Sequence, residues 1–324
     1  MTATMKKLGV VAVLFALVAS IGLFGCSSNN ESKDTNAESA DYTLLNDGKL
    51  VVGLSPDYPP FENLEGDEVV GFEVELGKAI AEELGLEYEN KNLQFDAIIP
   101  AVVSGGQVDI GMSGFTVTPE REEQIDFTDA FYIDDQAVAV MKDEDITEEN
   151  AAEALNQEGI IIAVQSGTTG ETYAQENYPN ATIQPYGNST DCFAAMQSGQ
   201  ANAVCTNKAV VEKMIKDAYQ DAEVVATSAT GEEYAIVVSK DNPELTKALN
   251  EALKKLKENG TIDELSAKWL SSFRRTLPSR VLGRVFYLRT SHAKTHALFH
   301  IRVRRNRCGV LGFLRGSLRA ACKR

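Results

Sequence analysis

The sequence predicts an α/β fold, and three observations carry that expectation. Short apolar runs alternate with helix-period patterns from Lys49 to Trp269. The chain has 324 residues, enough for two lobes that each bury a core. Its hydrophobic content of 44% is ordinary for a globular protein.

Leu50 to Leu54 reads as a strand. Phe72, Leu76, Ile80 and Leu84 stand at i, i+4, i+8 and i+12, one face of a helix that stops at Gly85. Asp96 is placed to N-cap a helix through Val103, with Pro100 at its fourth position, where a missing N–H costs little. Val108 to Met112 reads as a buried strand. After Phe131-Tyr132 the register begins again: strand Ile160–Val164, the loop Gln165–Gly170, and a helix around Thr172–Glu176. Ser189 is placed to cap a helix through Met196 that Gly199 closes, before a strand at Ala203–Thr206 and an amphipathic helix at Lys208–Ala218. Tyr234 to Ser239 is a further strand. Pro243 opens a long helix that Gly260 ends, and Thr261 and Glu264 form a capping-box pattern for a last helix to Trp269.

Charge divides the chain. Residues 271–324 hold 14 of the 31 Lys and Arg, all 3 His, and no Asp or Glu. Residues 1–270 hold the other 17 against all 47 acidic residues, a net of −30. A body this acidic repels nucleic acid and anionic headgroups, which excludes nucleic-acid partners and reads as a solvated surface.

At the start, Lys6-Lys7 precede an apolar run from Leu8 to Leu23 that is short for a spanning helix. Leu23-Phe24-Gly25-Cys26 looks like a lipobox, in which Cys26 is acylated and tethers the protein to a membrane. Phe24 departs from the small or β-branched residue usual there, and a plain secretory signal or single anchor helix also fits. Residues 1–26 are thus expected to be a lipoprotein signal peptide, and 27–41, rich in Ser, Asn, Glu and Asp, a flexible tether. Of the 5 cysteines, Cys192 and Cys205 fall in the body and are expected as buried free thiols, with a pair as the alternative.

Ser113-Gly114-Phe115-Thr116-Val117-Thr118-Pro119-Glu120-Arg121 follows the Val108 strand. Small hydroxyl-bearing residues at a strand end leave backbone N–H groups and hydroxyls pointing at open space. Arg121 adds a planar, permanently charged fork that matches a carboxylate in two parallel hydrogen bonds. This is a receptor for one small anion, with no nucleophile–base pair; Ser113 and Thr116 also read as local turn caps.

Three more motifs stand in order with it: Gly48 to Glu62, Val70-Gly71-Phe72-Glu73-Val74-Glu75-Leu76, and Phe95-Asp96-Ala97-Ile98-Ile99-Pro100-Ala101-Val102. Together they make residues 42–270 resemble the extracellular solute-binding protein family 3, bacterial proteins that feed polar amino acids to ABC importers. The resemblance implies a two-lobed periplasmic-binding-protein-like fold of type II, its cleft between lobes joined by two crossovers near Tyr132–Ala137 and Gly231–Ala235. Lobe 1 is then 42–133 plus 233–270 and lobe 2 is 134–232. It also implies a monomer without cofactor or metal. That monomer is not an enzyme; it captures an amino acid by closure and delivers it to a membrane permease and its ATPase.

By the same resemblance Arg121 grips the ligand's α-carboxylate, aided by Ser113, Gly114, Thr116 and, from lobe 2, Thr169. The loop Ser166–Thr169 precedes a helix, whose N-terminus favours an anion. The family usually places an aspartate for the ligand's ammonium where this chain has Asn207. An amide accepts a hydrogen bond without charge, so Asp57 or Glu62 is expected to take that role, or the ligand is not a standard α-amino acid. Tyr58, Phe61 and Phe95 are expected to wall the side-chain pocket.

Residues 271–324 lie outside the resemblance and read as a basic, non-family tail, out of frame or disordered. His292, His296 and His300 stand at metal-ligand spacing there, which the Arg-rich setting makes a chance pattern. The alternative functions are an extracytoplasmic dehydratase or lyase on the same fold, or an amino-acid sensing domain.

Overall fold

The computed structural model describes residues 42–270. The expected signal peptide with Cys26, the tether 27–41 and the tail with its three histidines lie outside the described residues.

Strand β1 (Lys49–Leu54) leads into a small antiparallel sheet of β2 (Asp57–Tyr58), β3 (Glu62–Glu65) and β4 (Glu68–Val70). Then follow α1 (Phe72–Glu83), β5 (Glu87–Asn92), α2 (Phe95–Ser104), β6 (Ile110–Gly111), α3 (Pro119–Glu122) and β7 (Asp126–Phe127). The next set is β8 (Tyr132–Met141), α4 (Ala151–Ala154), β9 (Ile161–Gln165), α5 (Thr169–Asn177) and β10 (Thr182–Tyr186). It continues with α6 (Ser189–Gln197), β11 (Ala203–Asn207), α7 (Lys208–Asp217) and β12 (Ala222–Tyr234). Strand β13 (Val237–Val238) and helices α8 (Pro243–Glu258) and α9 (Thr261–Trp269) complete the described chain.

Two five-stranded sheets result, ordered β5-β1-β6-β13-β7 and β10-β9-β11-β8-β12. In the first, β1 runs parallel to β5 and β6, and β13 is antiparallel to β6 and β7. In the second, β9 runs parallel to β10 and β11, and β8 is antiparallel to β11 and β12. Parallel strands are covered on both faces, which is why Leu50–Leu54 is continuously apolar and buried. The chain leaves the first sheet through β8 and returns through β12. These two strands pair along their length, with Tyr132 opposite Tyr234, and Tyr234 also bridges Thr116 beside the first sheet. Leu76 and Ile80 of α1 share a core with Leu245 and Leu249 of α8, while Val138, Ile162, Val164 and Cys205 form the core of the second sheet. Cys192 and Cys205 are free and buried.

Several helix starts differ from expectation. Gln94, not Asp96, is the N-cap of α2, so Pro100 sits at the sixth position. Asn188 precedes α6 and Ser189 is its first residue. Gly260, in a left-handed conformation, precedes α9, and Thr261 makes no side-chain cap. At none of these three starts does the N-cap side chain make a capping hydrogen bond. Val108–Met112 is buried throughout, but only Ile110–Gly111 pairs as strand.

Gly71 opens α1 at φ 142, and a Cβ there would stand 2.1 Å from the Phe61 carbonyl oxygen. The Phe61 backbone has nowhere to go, because Glu73 N–H donates to that oxygen at 2.9 Å. Gly71→Ala is therefore expected to lower unfolding free energy by roughly 2–4 kcal/mol in urea denaturation, and a loss below roughly 0.5 kcal/mol would contradict this packing.

Candidate ligand-binding site

The C-terminal ends of β6, β9 and β11 point their following loops at one another. A narrow cleft lies there, lined by Tyr58, Phe95, Gly114, Thr116 and Arg121 from the first-sheet side and by Gln165, Thr168, Thr169 and Asn207 from the second. Its free volume is about 10 Å³, less than an amino acid fills, so the walls must part to admit a guest. The larger groove along α8, beside Phe131 and Lys254, is lined mostly by exposed residues and contains no arginine.

Arg121 is placed by a short local device. Thr118 caps α3 by accepting from the Arg121 N–H at 3.3 Å, and Pro119 starts the turn. The guanidinium lies 5.5 Å from the ring centres of both Phe95 and Phe115, which stack on each other at 4.6 Å. Its Nη1 donates to the Thr116 carbonyl at 2.8 Å and its Nη2 to the Gly167 carbonyl at 3.0 Å. The second bond reaches a loop of the other sheet. Burial pulls the guanidinium's pKa down, and the charge of Glu232 opposes that.

Thr116 and Thr169 meet across the cavity, their hydroxyls 3.4 Å apart. Both donate to the same oxygen of Glu232, each at 2.7 Å. Asn207 Nδ2 donates to that oxygen at 3.1 Å, and Gln136 Nε2 donates to the other at 2.7 Å. Asn207 Oδ1 accepts from the Tyr58 hydroxyl at 2.5 Å, and Thr206 Oγ1 lies 3.1 Å from the same hydroxyl. Glu232 stands on β12, at the return crossing between the sheets. Burial pushes its pKa up, but the hydrogen bonds from Thr169, Thr116, Gln136 and Asn207 outweigh that and hold it below the usual carboxylate value.

Ser113, Asp57, Glu62 and Phe61 are not in the cavity wall. The Ser113 hydroxyl donates to Glu62 at 2.6 Å and accepts from the Ser55 N–H at 3.1 Å. Gly114, at φ 62, donates its N–H to Glu73 at 2.9 Å. Glu62 and Glu73 therefore form a buried pair under the Ser113–Gly114 turn. Asp57 accepts from the Ser55 hydroxyl at 2.7 Å, from Gln165 Nε2 at 3.3 Å and from the Ser189 N–H. It latches the β2 hairpin to the start of α6. Phe61 is fully buried among Phe72, Tyr132 and Tyr234. Sequence reasoning missed Glu232, Gln136 and Phe115. The doubled acid Glu232-Glu233 beside an expected crossing was the one available signal. Among the described residues no group of His, Cys, Asp and Glu is placed to hold a metal ion, and no helix is long and apolar enough to cross a membrane.

Residues 50–272 match the model of the bacterial extracellular solute-binding proteins, family 3. This chain belongs to that family. Among family relatives, the arginine-binding extracellular protein ArtP of Bacillus subtilis (strain 168) is 32% identical over 263 residues, 80% of this chain and 96% of the relative. The ABC transporter glutamine-binding protein GlnH of the same strain is 31% identical over 277 residues, 82% of this chain and 98% of the relative. The ancestral amino acid-binding protein AncCDT-1, a precursor of cyclohexadienyl dehydratase, has a crystal structure that superposes with a TM-score of 0.62 at 37% identity. It covers 68% of this chain and 95% of that one. The family member described here is thus a two-lobed α/β substrate-binding protein of an ABC transporter, acting outside the cytoplasm.

The buried carboxyls set a pH dependence. Burial raises the pKa of Glu73 and of Glu62, which the neighbouring Glu73 charge raises further, and burial lifts Asp134 to about 7. The folded state holds these protons to higher pH than the unfolded chain, whose carboxyls titrate near pH ~4. Their stabilising effect is complete below that value and is lost as pH rises through about 7 and beyond. The melting temperature is expected to fall between pH ~5.5 and pH ~8.5. Glu73→Gln, which keeps an acceptor for the Gly114 N–H, should flatten that fall; a profile unchanged from the parent would contradict the assignment.

Proposed function

We propose that this family member captures one polar amino acid in the cavity between its two sheets and hands it to a membrane permease driven by an ATPase. The observation that carries this reading is the convergence of Arg121, Thr116, Thr169 and Asn207, from both sheets, on a single narrow cleft. Two N–H groups of Arg121 hold the two walls, and those that remain are donors for a guest carboxylate. Gly114 and Thr116 wall the same end; Ser113 supports the turn from behind through Glu62. Tyr58 and Phe95 flank the guest's side chain.

In this reading the sheets are the cores of lobes 42–133 plus 233–270 and 134–232. They part about β8 and β12 to admit the ligand and close on it, since only the closed form offers both walls. ArtP is an arginine-binding and GlnH a glutamine-binding protein, which supports a polar amino acid as the guest here. The protein binds without turnover, works as a monomer, and is held at the membrane by acylated Cys26. The dehydratase reading has one supporting observation, the AncCDT-1 likeness, and that protein is itself named an amino acid-binding protein.

A melting-shift panel of the twenty amino acids tests this. At a hundredfold excess over Kd, a true ligand adds about 2.7 kcal/mol of apparent stability. At least one polar amino acid should give that shift, and Arg121→Lys, which loses the planar fork, should abolish it. No shift from any of the twenty, or conversion of a bound one seen by mass spectrometry, would overturn the reading. For the anchor, Cys26→Ser should move the protein from the membrane pellet to the soluble extract; a variant that stays in the pellet would contradict acylation at that residue.

A further inference from the structure

Glu232 is a buried charge that no cation contacts directly; the Arg121 guanidinium feels it only through space. The residue is 9% exposed, and among the described residues no Lys, Arg or His nitrogen lies within ion-pair distance. All of its hydrogen-bond donors are neutral: the hydroxyls of Thr116, Thr169 and Thr230 and the amides of Gln136 and Asn207. A buried ion is ordinarily paired with an opposite charge, because neutral donors recover only part of its lost hydration. Glu232 stands one layer behind the cavity wall, and three of those donors, Thr116, Thr169 and Asn207, line the cavity in front of it. The other acids expected to serve there are turned away, Asp57 to Ser55, Gln165 and Ser189, and Glu62 to Ser113.

We infer that Glu232 is the acceptor for the ligand's α-ammonium group, and that Asn207 orients it rather than meeting the charge itself. Asn207 is fixed by Tyr58, which donates to its Oδ1, so its Nδ2 is aimed at Glu232. Thr116 and Thr169 donate to the same Glu232 oxygen and their hydroxyl hydrogens rotate. An entering ammonium takes the place of one such donor, and the freed hydroxyl turns to the guest's carboxylate beside Arg121. The charge then sits on the crossing strand, so the ammonium is bound at the pivot and the carboxylate between the lips. A guest without an α-ammonium leaves Glu232 unpaired and binds more weakly than its amino-acid counterpart.

This rests on the amino-acid reading above, and isothermal titration separates the two. The probes are L-arginine and L-glutamine, with 5-guanidinopentanoate and 4-carbamoylbutanoate as the same molecules lacking the α-ammonium. Glu232→Gln keeps shape and hydrogen bonding and removes the charge. The result expected is a loss of about thirtyfold or more for whichever amino acid the parent binds, with its des-amino analogue shifted less than about threefold. Glu232→Gln with Asn207→Asp returns a carboxylate to the same place and should recover most of the affinity, which also shows that the single variant is folded. Unchanged affinity in Glu232→Gln, or an equal loss for amino acid and analogue, overturns the assignment while leaving the amino-acid reading intact. A parent that binds none of the four probes, nor any amino acid in the panel, overturns both.

Discussion

The site depends on one buried guanidinium that belongs to both walls at once. Arg121 is carried by the first-sheet side and donates to the Thr116 carbonyl there and to the Gly167 carbonyl of the opposite loop. Stacked near Phe95 and Phe115, it has little room to choose another direction. A side chain fixed this way costs a guest little reorganisation, since its rotamer is settled before binding. The Asp57 contact to α6 and the Tyr58 contact to Asn207 reach across the same gap. Closure therefore has a polar seam of its own, and a guest adds to it rather than creating it.

The buried carboxylates divide into two kinds. Glu62 and Glu73 sit in apolar surroundings with one oxygen each unpartnered, so burial drives them toward the neutral form. They brace the turn that carries Gly114. Glu232 is surrounded by donors and stays charged. The two depths thus favour different states: the neutral carboxyl under the turn, and a hydrogen-bonded carboxylate behind the cleft wall.

Much of this was legible in the sequence where local rules decide. The run Leu50–Leu54 and the Phe72–Leu84 face follow from spacing alone. Asp57, Glu62 and Phe61 were not, because their direction is set by partners far along the chain: Ser189, Ser113 and Tyr234. Strand β12 was illegible for another reason. It is the edge of its sheet, with one side to solvent, and its Ala, Thr, Ser and Glu residues show no apolar alternation. Its pairing with β8 is what brings Glu232 to the cavity, and no local pattern announces a pairing between residues about a hundred apart. The substitution of Asn207 for an acid was visible; the acid that stands beside it was not.

A crystal structure of the protein with its amino acid bound tests the central claim most directly. The account predicts the guest's carboxylate within ~3 Å of an Arg121 nitrogen and of Thr116 or Thr169, with both walls in contact with the same molecule. A guest held by one wall alone, or bound with the Arg121 guanidinium facing only the protein's own carbonyls, would contradict it.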